Sequence, residues 1–323
     1  MPHSRAKSLI ESGHVSWICS HADILIIGDT TPHGRAILES LLLDPPHQCT
    51  SRKVVVELTN RFDWDVQWGQ DMDAYYTLFR ELVKQSERDG RLEGRIEFVA
   101  NNLAEGRWIE GRIGVSMEGR VRIVRPLGIV KGGGYEYPND LPPQNKSVVA
   151  TQRHKSNIHS YLLHELDLSD SLALFPFGHK YGGPQNLLKF KAFLEIPYQF
   201  STMKFYENIA SGVPQLIPTP RFLLELYYSG LHGLPIWDPA YSLATLDPGL
   251  LTNRYSLEWA KYVDYYAPEF ESFVYLFDSF DELVALLGME DLDVEKKVRV
   301  KGPLFYETYR KEIVREWELI LMK

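Results

Sequence analysis

The stretch STMKFYENIASGVPQLIPTP, residues 201–220, places an acid and a base one helical turn apart. Ser201 or Thr202 can cap a helix at its start, and the run continues to about Ser211. Gly212 suits the left-handed conformation that often follows a helix. An apolar strand comes next, so this short helix is predicted to sit directly against a sheet.

Lys204 and Glu207 are the residues of this helix whose chemistry could bind a nucleotide. A carboxylate accepts charge-assisted hydrogen bonds from two adjacent ribose hydroxyls, and helix N-terminal amides together with a lysine receive phosphate oxygens. The alternative is an ordinary solvated ion pair. Helical periodicity predicts a buried face made of Met203, Tyr206, Ile209 and Ala210. Glu207 then lies about 40° from Met203, at the border of the core.

The composition indicates a well-packed globular protein. The chain has 323 residues, of which 44% are hydrophobic and 12% aromatic, enough for one large or two medium domains. The 43 acids and 35 bases give a net charge of −8, which disfavours a general nucleic-acid binder. No apolar run approaches the length of a transmembrane helix, although the sequence leaves peripheral membrane association open.

The two cysteines, Cys19 and Cys49, have no CxxC spacing. We therefore expect neither structural zinc nor a disulfide framework, and a reducing, cytoplasmic location fits best. His154, His159 and His164 are five residues apart, so on a helix they point in different directions. No metal site is predicted.

Short, continuous apolar runs alternate with amphipathic helical patterns, which is typical of an α/β protein with mainly parallel sheets. The predicted strands are 22–28, 53–59, 95–101, 121–128, 172–177, 214–218 and 273–277. Near the C-terminus, Ser279 and Glu282 form a capping box at the start of a helix.

The segment 128–147 is rich in Gly, Pro, Asn and Asp and has no sustained periodicity. This composition predicts two domains: an N-terminal Rossmann-like domain at 1–128, a linker at 129–150 and a C-terminal domain at 151–323.

The stretch FYENIASGVPQLI resembles the C-terminal signature of nucleotide-sugar glycosyltransferases of the GT-B fold, similar to glycosyltransferase family 4. Glu207 matches the glutamate that holds the donor ribose in that family, and Ala210, Gly212 and Pro214 match the turn that follows. The family's first acid falls at Gln199, where this chain departs from the pattern. The N-terminal half follows the family's order of strands in a shortened form.

The resemblance implies two parallel-sheet domains, a metal-independent glycosyl transfer and no cofactor beyond a UDP- or GDP-linked sugar. The FGHKYGGPQ loop supplies further candidates for diphosphate contacts, with a tight turn carrying a solvated lysine as the alternative. The predicted donor-binding residues are Glu207, Lys204, Asn208, Ser201, Thr202, Lys180, Gly182 and Gly183.

Glycosyl transfer also needs a base for the acceptor hydroxyl. His33, with Asp29 to orient it, is the predicted catalytic pair, because both follow the first predicted strand in GDTTPHG. The same residues fit an ordinary helix start. Asp63 and Arg125 are secondary candidates near the ends of later strands.

The sequence therefore predicts an enzyme that transfers a sugar from a nucleotide donor to an unidentified acceptor. A catalytically degenerate relative that binds a nucleotide sugar or a protein partner is the alternative, and an epimerase of the same fold fits the pattern as well.

Overall fold

The computed structural model describes residues 1–59, 62–63, 66, 70–87, 90–129, 148–151, 157–175, 182–230 and 256–322. The chain divides into two compact units. The first unit contains Met1–Arg125 and the end of the chain from Ile313. The second unit contains the described residues between Pro126 and Glu312.

The first unit is built on a four-stranded sheet of order β1-β2-β3-β4 in which every neighbouring pair is parallel. Its strands are β1 Ile24–Ile27, β2 Lys53–Leu58, β3 Ile96–Ala100 and β4 Val121–Ile123. Its helices are α1 His3–Glu11, α2 His14–His21, α3 Arg35–Leu41, α4 Gln70–Ser86 and α5 Leu103–Ile113. Val54, Val55 and Val56 of β2 are all buried, as expected for an inner strand covered on both faces.

The second unit contains a five-stranded, all-parallel sheet of order β6-β5-β7-β8-β9. Its strands are β5 Val148–Thr151, β6 Leu172–Phe175, β7 Ala192–Leu194, β8 Gln215–Pro218 and β9 Val274–Phe277. Its helices are α6 Asn157–His164, α7 Pro184–Leu187, α8 Met203–Ser211, α9 Pro220–Tyr228, α10 Phe280–Gly288 and the start of α11 Val298–Met322. The prediction of an α/β protein with two Rossmann-like parallel sheets is confirmed.

Two strands of the second sheet were not predicted from the sequence. The structure has β5 at Val148–Thr151, where the analysis placed the end of the linker, and β7 at Ala192–Leu194. The remaining linker residues, 130–147, lie outside the described residues.

Helix α11 packs closely against α8. A Cβ atom added at Gly302 of α11 would lie 2.4 Å from the backbone oxygen of Ile209, and one added at Gly212 would lie 2.7 Å from the backbone oxygen of Arg299. Gly212 also has a φ of +76°, so the predicted glycine stop of α8 is confirmed. The two backbones meet where only glycine fits.

Charged side chains hold both ends of α11. The Asp293 carboxylate accepts the backbone N–H groups of Val298 at 2.6 Å and Arg299 at 2.9 Å. At the other end, the buried Lys53 ammonium donates to the carbonyl of Ile320 at 2.6 Å. An acid at the N-terminus and a cation at the C-terminus both complement the helix dipole.

The cysteines correct the sequence analysis. Cys19 of α2 and Cys49, before β2, form a disulfide with a Cα–Cα distance of 5.3 Å. The pairing joins residues 30 positions apart and depends on how α2 packs, which spacing alone does not indicate. Among the described helices, none is both long enough and apolar enough to cross a bilayer.

Candidate functional site

The strand order of the second sheet reverses between β5 and β7, because β6 lies on one side of β5 while β7, β8 and β9 follow on the other. In open α/β sheets, ligands bind beyond the carboxyl ends of the strands at such a reversal. Strand β7 ends at Leu194, so Glu195 is the first residue beyond it. Helix α8 starts after the same loop, and its first turn lies at this edge of the sheet.

A buried ion pair connects the end of β7 to the first turn of α8. The Lys204 ammonium lies 2.6 Å from Oε2 of Glu195, and the two side chains are only 4% and 3% exposed. Lys204 also sits over the ring of Phe193, 4.0 Å from its centre. The Tyr265 hydroxyl lies 3.0 Å from Thr202 Oγ1 and 3.5 Å from Glu195 Oε1. The charges are thus compensated within the protein.

Helix α8 is rotated about its axis relative to the prediction. Met203, predicted to be buried, is 54% exposed, whereas Lys204 and Phe205 are buried together with the correctly predicted Tyr206 and Ile209. The centre of the buried face is rotated about the helix axis by roughly 100°, the angle between consecutive residues, relative to the predicted one. The reason is that Lys204 finds a buried partner in Glu195 and therefore turns inward.

Glu207 consequently lies on the outer side of α8, in the same direction as Met203, yet it is half-buried. Its carboxylate makes no hydrogen bond or ion pair with any described residue. Burial raises the pKa of Glu207 above its ordinary range, and the positive charge of Lys204 partly lowers it again. A half-buried carboxylate without a donor carries an unmet desolvation cost.

The other predicted donor-binding residues have varied surroundings. Thr202 caps α8 by accepting the Phe205 N–H at 3.3 Å, which confirms one of the two predicted caps. Asn208 is fully buried and donates to Gln215 Oε1 at 3.1 Å, while its Oδ1 has no partner among the described residues. Ser201 is half-buried just before the cap.

Of the FGHKYGGPQ loop, the structure describes only the residues from Gly182 onward. Gly182 and Gly183 both have positive φ angles, and Gly183 directly precedes α7. Lys180 lies outside the described residues. The predicted role of these three residues in diphosphate binding stays a prediction.

In the first unit, Asp29 and His33 follow β1 as predicted, and both are exposed. Their side chains form no hydrogen bond or ion pair with each other. Asp29 has a φ of +54°, which is uncommon outside glycine and is often found at functional positions. The expected Asp29–His33 contact is therefore not present between these described residues.

Glu57, near the carboxyl end of β2, was not singled out from the sequence. Its Oε2 lies 2.6 Å from where a Cβ on Gly28 would be, so the carboxylate rests on the backbone beside Asp29. Burial, followed by the negative charge of Asp29, raises the pKa of Glu57. No described residue donates a hydrogen bond to it.

Asp63 and Arg125, the secondary candidates, are both buried. The Asp63 carboxylate accepts the Tyr76 hydroxyl at 2.7 Å and the Trp108 indole N–H at 2.9 Å. These bonds give Asp63 a structural role in the first unit.

No protein-family model matches the chain. A search of curated proteins likewise found no similar sequence. Within the described ranges, no three His, Cys, Asp or Glu side chains are grouped as metal ligands would be.

Glu195 was not predicted from the sequence, because the family pattern has its first acid eight residues before Glu207, at the position of Gln199. Gln199 is exposed in the loop between β7 and α8. One feature of the sequence could have identified Glu195: it directly follows the apolar run AFL. A residue at the end of a parallel strand lies at the edge of the sheet where ligands bind.

Proposed function

We propose that the protein is a glycosyltransferase that takes a sugar from a UDP- or GDP-linked donor, with Glu207 binding the donor ribose. The first unit supplies the acceptor side, and His33 and Asp29 are its candidate catalytic residues. The two parallel sheets and the FYENIASGVPQLI stretch support a GT-B-type enzyme. The acceptor is left unassigned.

The half-buried carboxylate of Glu207, which has no partner among the described residues, is the observation that carries the proposal. Its helix follows β7, the strand beside the reversal in sheet order. A ribose offers two adjacent hydroxyl donors and no charge, which would satisfy both carboxylate oxygens. A surface ion pair, the alternative considered from sequence, is disfavoured because Lys204 pairs with Glu195.

A catalytically inactive nucleotide-sugar binder is the second candidate. The absence of a contact between Asp29 and His33, two described residues, favours it, because an unoriented histidine is a poor base. Both candidates share the binding site at Glu207 and differ only in turnover.

The first test is a thermal-shift screen with UDP, GDP and their sugars. We expect one nucleotide to raise the melting temperature, since a ligand at about 100 times its Kd adds roughly 2.7 kcal/mol of stability. Glu207→Gln should remove this shift while the unliganded variant stays folded. Donor hydrolysis and transfer to a panel of acceptors then separate the enzyme from the inactive binder.

Glu307→Gln is the matched control, because Glu307 is an exposed acid on α11 of the same unit. It should retain the full ligand-induced shift. If no nucleotide stabilises the native protein, or if both glutamine variants behave alike, the proposal is wrong.

A further inference from the structure

The Lys204 ammonium is paired with a carboxylate of the same chain. It is held at 2.6 Å by Glu195 and covered by Phe193. To reach a phosphate it would have to leave this buried carboxylate unpaired, and an uncompensated buried charge is strongly unfavourable. Lys204 is therefore poorly suited to bind the diphosphate.

The charges around Glu207 also disfavour diphosphate binding at this position. Of the two charged side chains of α8, Lys204 is matched by Glu195, which leaves Glu207 without a compensating ion pair among the described residues. The neighbouring helix α7, Pro184–Leu187, carries no charged side chain, and the Asp264 carboxylate on the adjoining segment accepts the Tyr206 hydroxyl. An excess negative charge repels a diphosphate and favours neutral hydroxyl donors.

Lys204 nevertheless acts on Glu207. The two residues are three apart on α8. Burial raises the pKa of Glu207, and the ammonium charge of Lys204 partly counteracts this rise. Glu195 fixes that ammonium to the end of β7. The ion pair thus fixes the first turn of α8 to the end of β7, and its lysine partly offsets the effect of burial on the carboxylate one turn further along.

We propose that the Glu195–Lys204 pair is a positioning element for Glu207, and that this end of the site binds the nucleoside part of the donor and not its diphosphate. This inference rests on the proposed function. It assigns Lys204 and Glu195 as positioning residues that act through Glu207.

Calorimetric titration of the full chain with uridine, UDP, guanosine and GDP tests the inference. The variant is Glu195→Gln combined with Lys204→Met, which removes both charges and leaves none unpaired. We expect the affinities for the preferred nucleoside and for its diphosphate to fall by the same factor, about tenfold. The pH below which binding is lost should also rise, because the cation that favours ionised Glu207 is gone.

A loss of diphosphate affinity with unchanged nucleoside affinity would show that Lys204 binds phosphate and would overturn the inference. So would unchanged affinities for both. If the native protein binds none of the four compounds, the proposed function itself fails and the inference with it, so the two failures are distinguishable.

Glu195→Gln alone is the second variant and covers the case in which the double variant does not fold, as judged by circular dichroism. Lys204 then loses its partner and can pair with Glu207, in competition with the ribose hydroxyls. Nucleoside affinity should fall. A tighter diphosphate complex with unchanged nucleoside affinity would contradict the inference.

Discussion

Glu207 combines partial burial with the absence of a hydrogen-bond donor among the described residues. Burial raises its pKa because the ionised form loses water, and the positive charge of Lys204 offsets this effect only in part. Such a group opposes folding while it is charged. Under the proposed function, the ribose hydroxyls would supply the missing donors.

We predict that Glu207→Gln raises the stability of the unliganded protein at neutral pH. The folded-state pKa is raised, so the cost of ionisation is largest at high pH and disappears below the pKa of the unfolded chain. Melting temperatures measured from pH 4 to pH 8 should show a gain on the order of 2 °C at neutral pH that shrinks in acid.

A lower melting temperature for Glu207→Gln at neutral pH would mean that the carboxylate has a stabilising partner in the folded protein. Glu307→Gln, measured alongside, should show no such pH-dependent gain, because its carboxylate is exposed in both states.

The ends of α8 could be predicted from the sequence, but its orientation about its own axis could not. Thr202 and Gly212 could be predicted as its ends because capping is local chemistry. Its buried face could be predicted only in part: Tyr206 and Ile209 were correct, but Lys204 turns inward because the fold brings Glu195 beside it. The candidate carboxylate was found from the sequence, whereas the Glu195–Lys204 ion pair required the fold.

Helix α11 shows how charged side chains stabilise a whole element. Asp293 accepts two amides of its first turn, and Tyr275 also donates to this carboxylate at 3.4 Å. Lys53 and Arg52 donate to carbonyls of its last turn. These contacts satisfy groups that every helix end leaves without an intrahelical partner.

We predict that Asp293→Ala lowers the free energy of unfolding by about 2 kcal/mol, because the first amides of α11 lose their acceptor. Denaturant unfolding measures the effect. The control is Glu295→Ala, an exposed acid nearby, which should change stability by less than about 0.5 kcal/mol. Equal effects of the two substitutions would contradict the capping role.

At the level of elements, strands with several consecutive apolar residues were predictable, as in the KVVV run of β2. Strands β5 and β7 were not. The residues of β5 were assigned to the end of the linker, and the AFL run of β7 stands between two charged residues, Lys191 and Glu195. The predicted cap at Ser279 is confirmed, because Ser279 accepts the Glu282 N–H at 3.1 Å at the start of α10. The reciprocal half of the capping box is not formed as predicted: the Glu282 carboxylate accepts the N–H of Asp278, one residue before the cap.

At the scale of the molecule, the first unit contains a covalent link that the second lacks among its described residues. The disulfide between Cys19 and Cys49 restricts the unfolded chain of that unit. The spacing of the two cysteines in the sequence did not indicate this disulfide, because they meet only when α2 packs beside the segment that precedes β2.

We predict that replacing both cysteines, Cys19→Ser with Cys49→Ser, lowers the unfolding free energy of the first unit by about 3–4 kcal/mol. Guanidinium unfolding with and without reductant measures this loss. Reductant should destabilise the native chain and leave the double variant unchanged. An identical midpoint for the native chain in both conditions, with two titratable thiols, would contradict the assignment.

The close contact of Gly212 and Gly302 has a consequence for the proposed binding at Glu207. Since no side chain separates the two backbones there, α8 has little room to tilt or slide against α11. Under the proposed function, the backbone that carries Glu207 would therefore not need to be ordered by the nucleotide. We expect binding to cost little conformational entropy of α8, and the bound and free forms of this helix to superimpose closely.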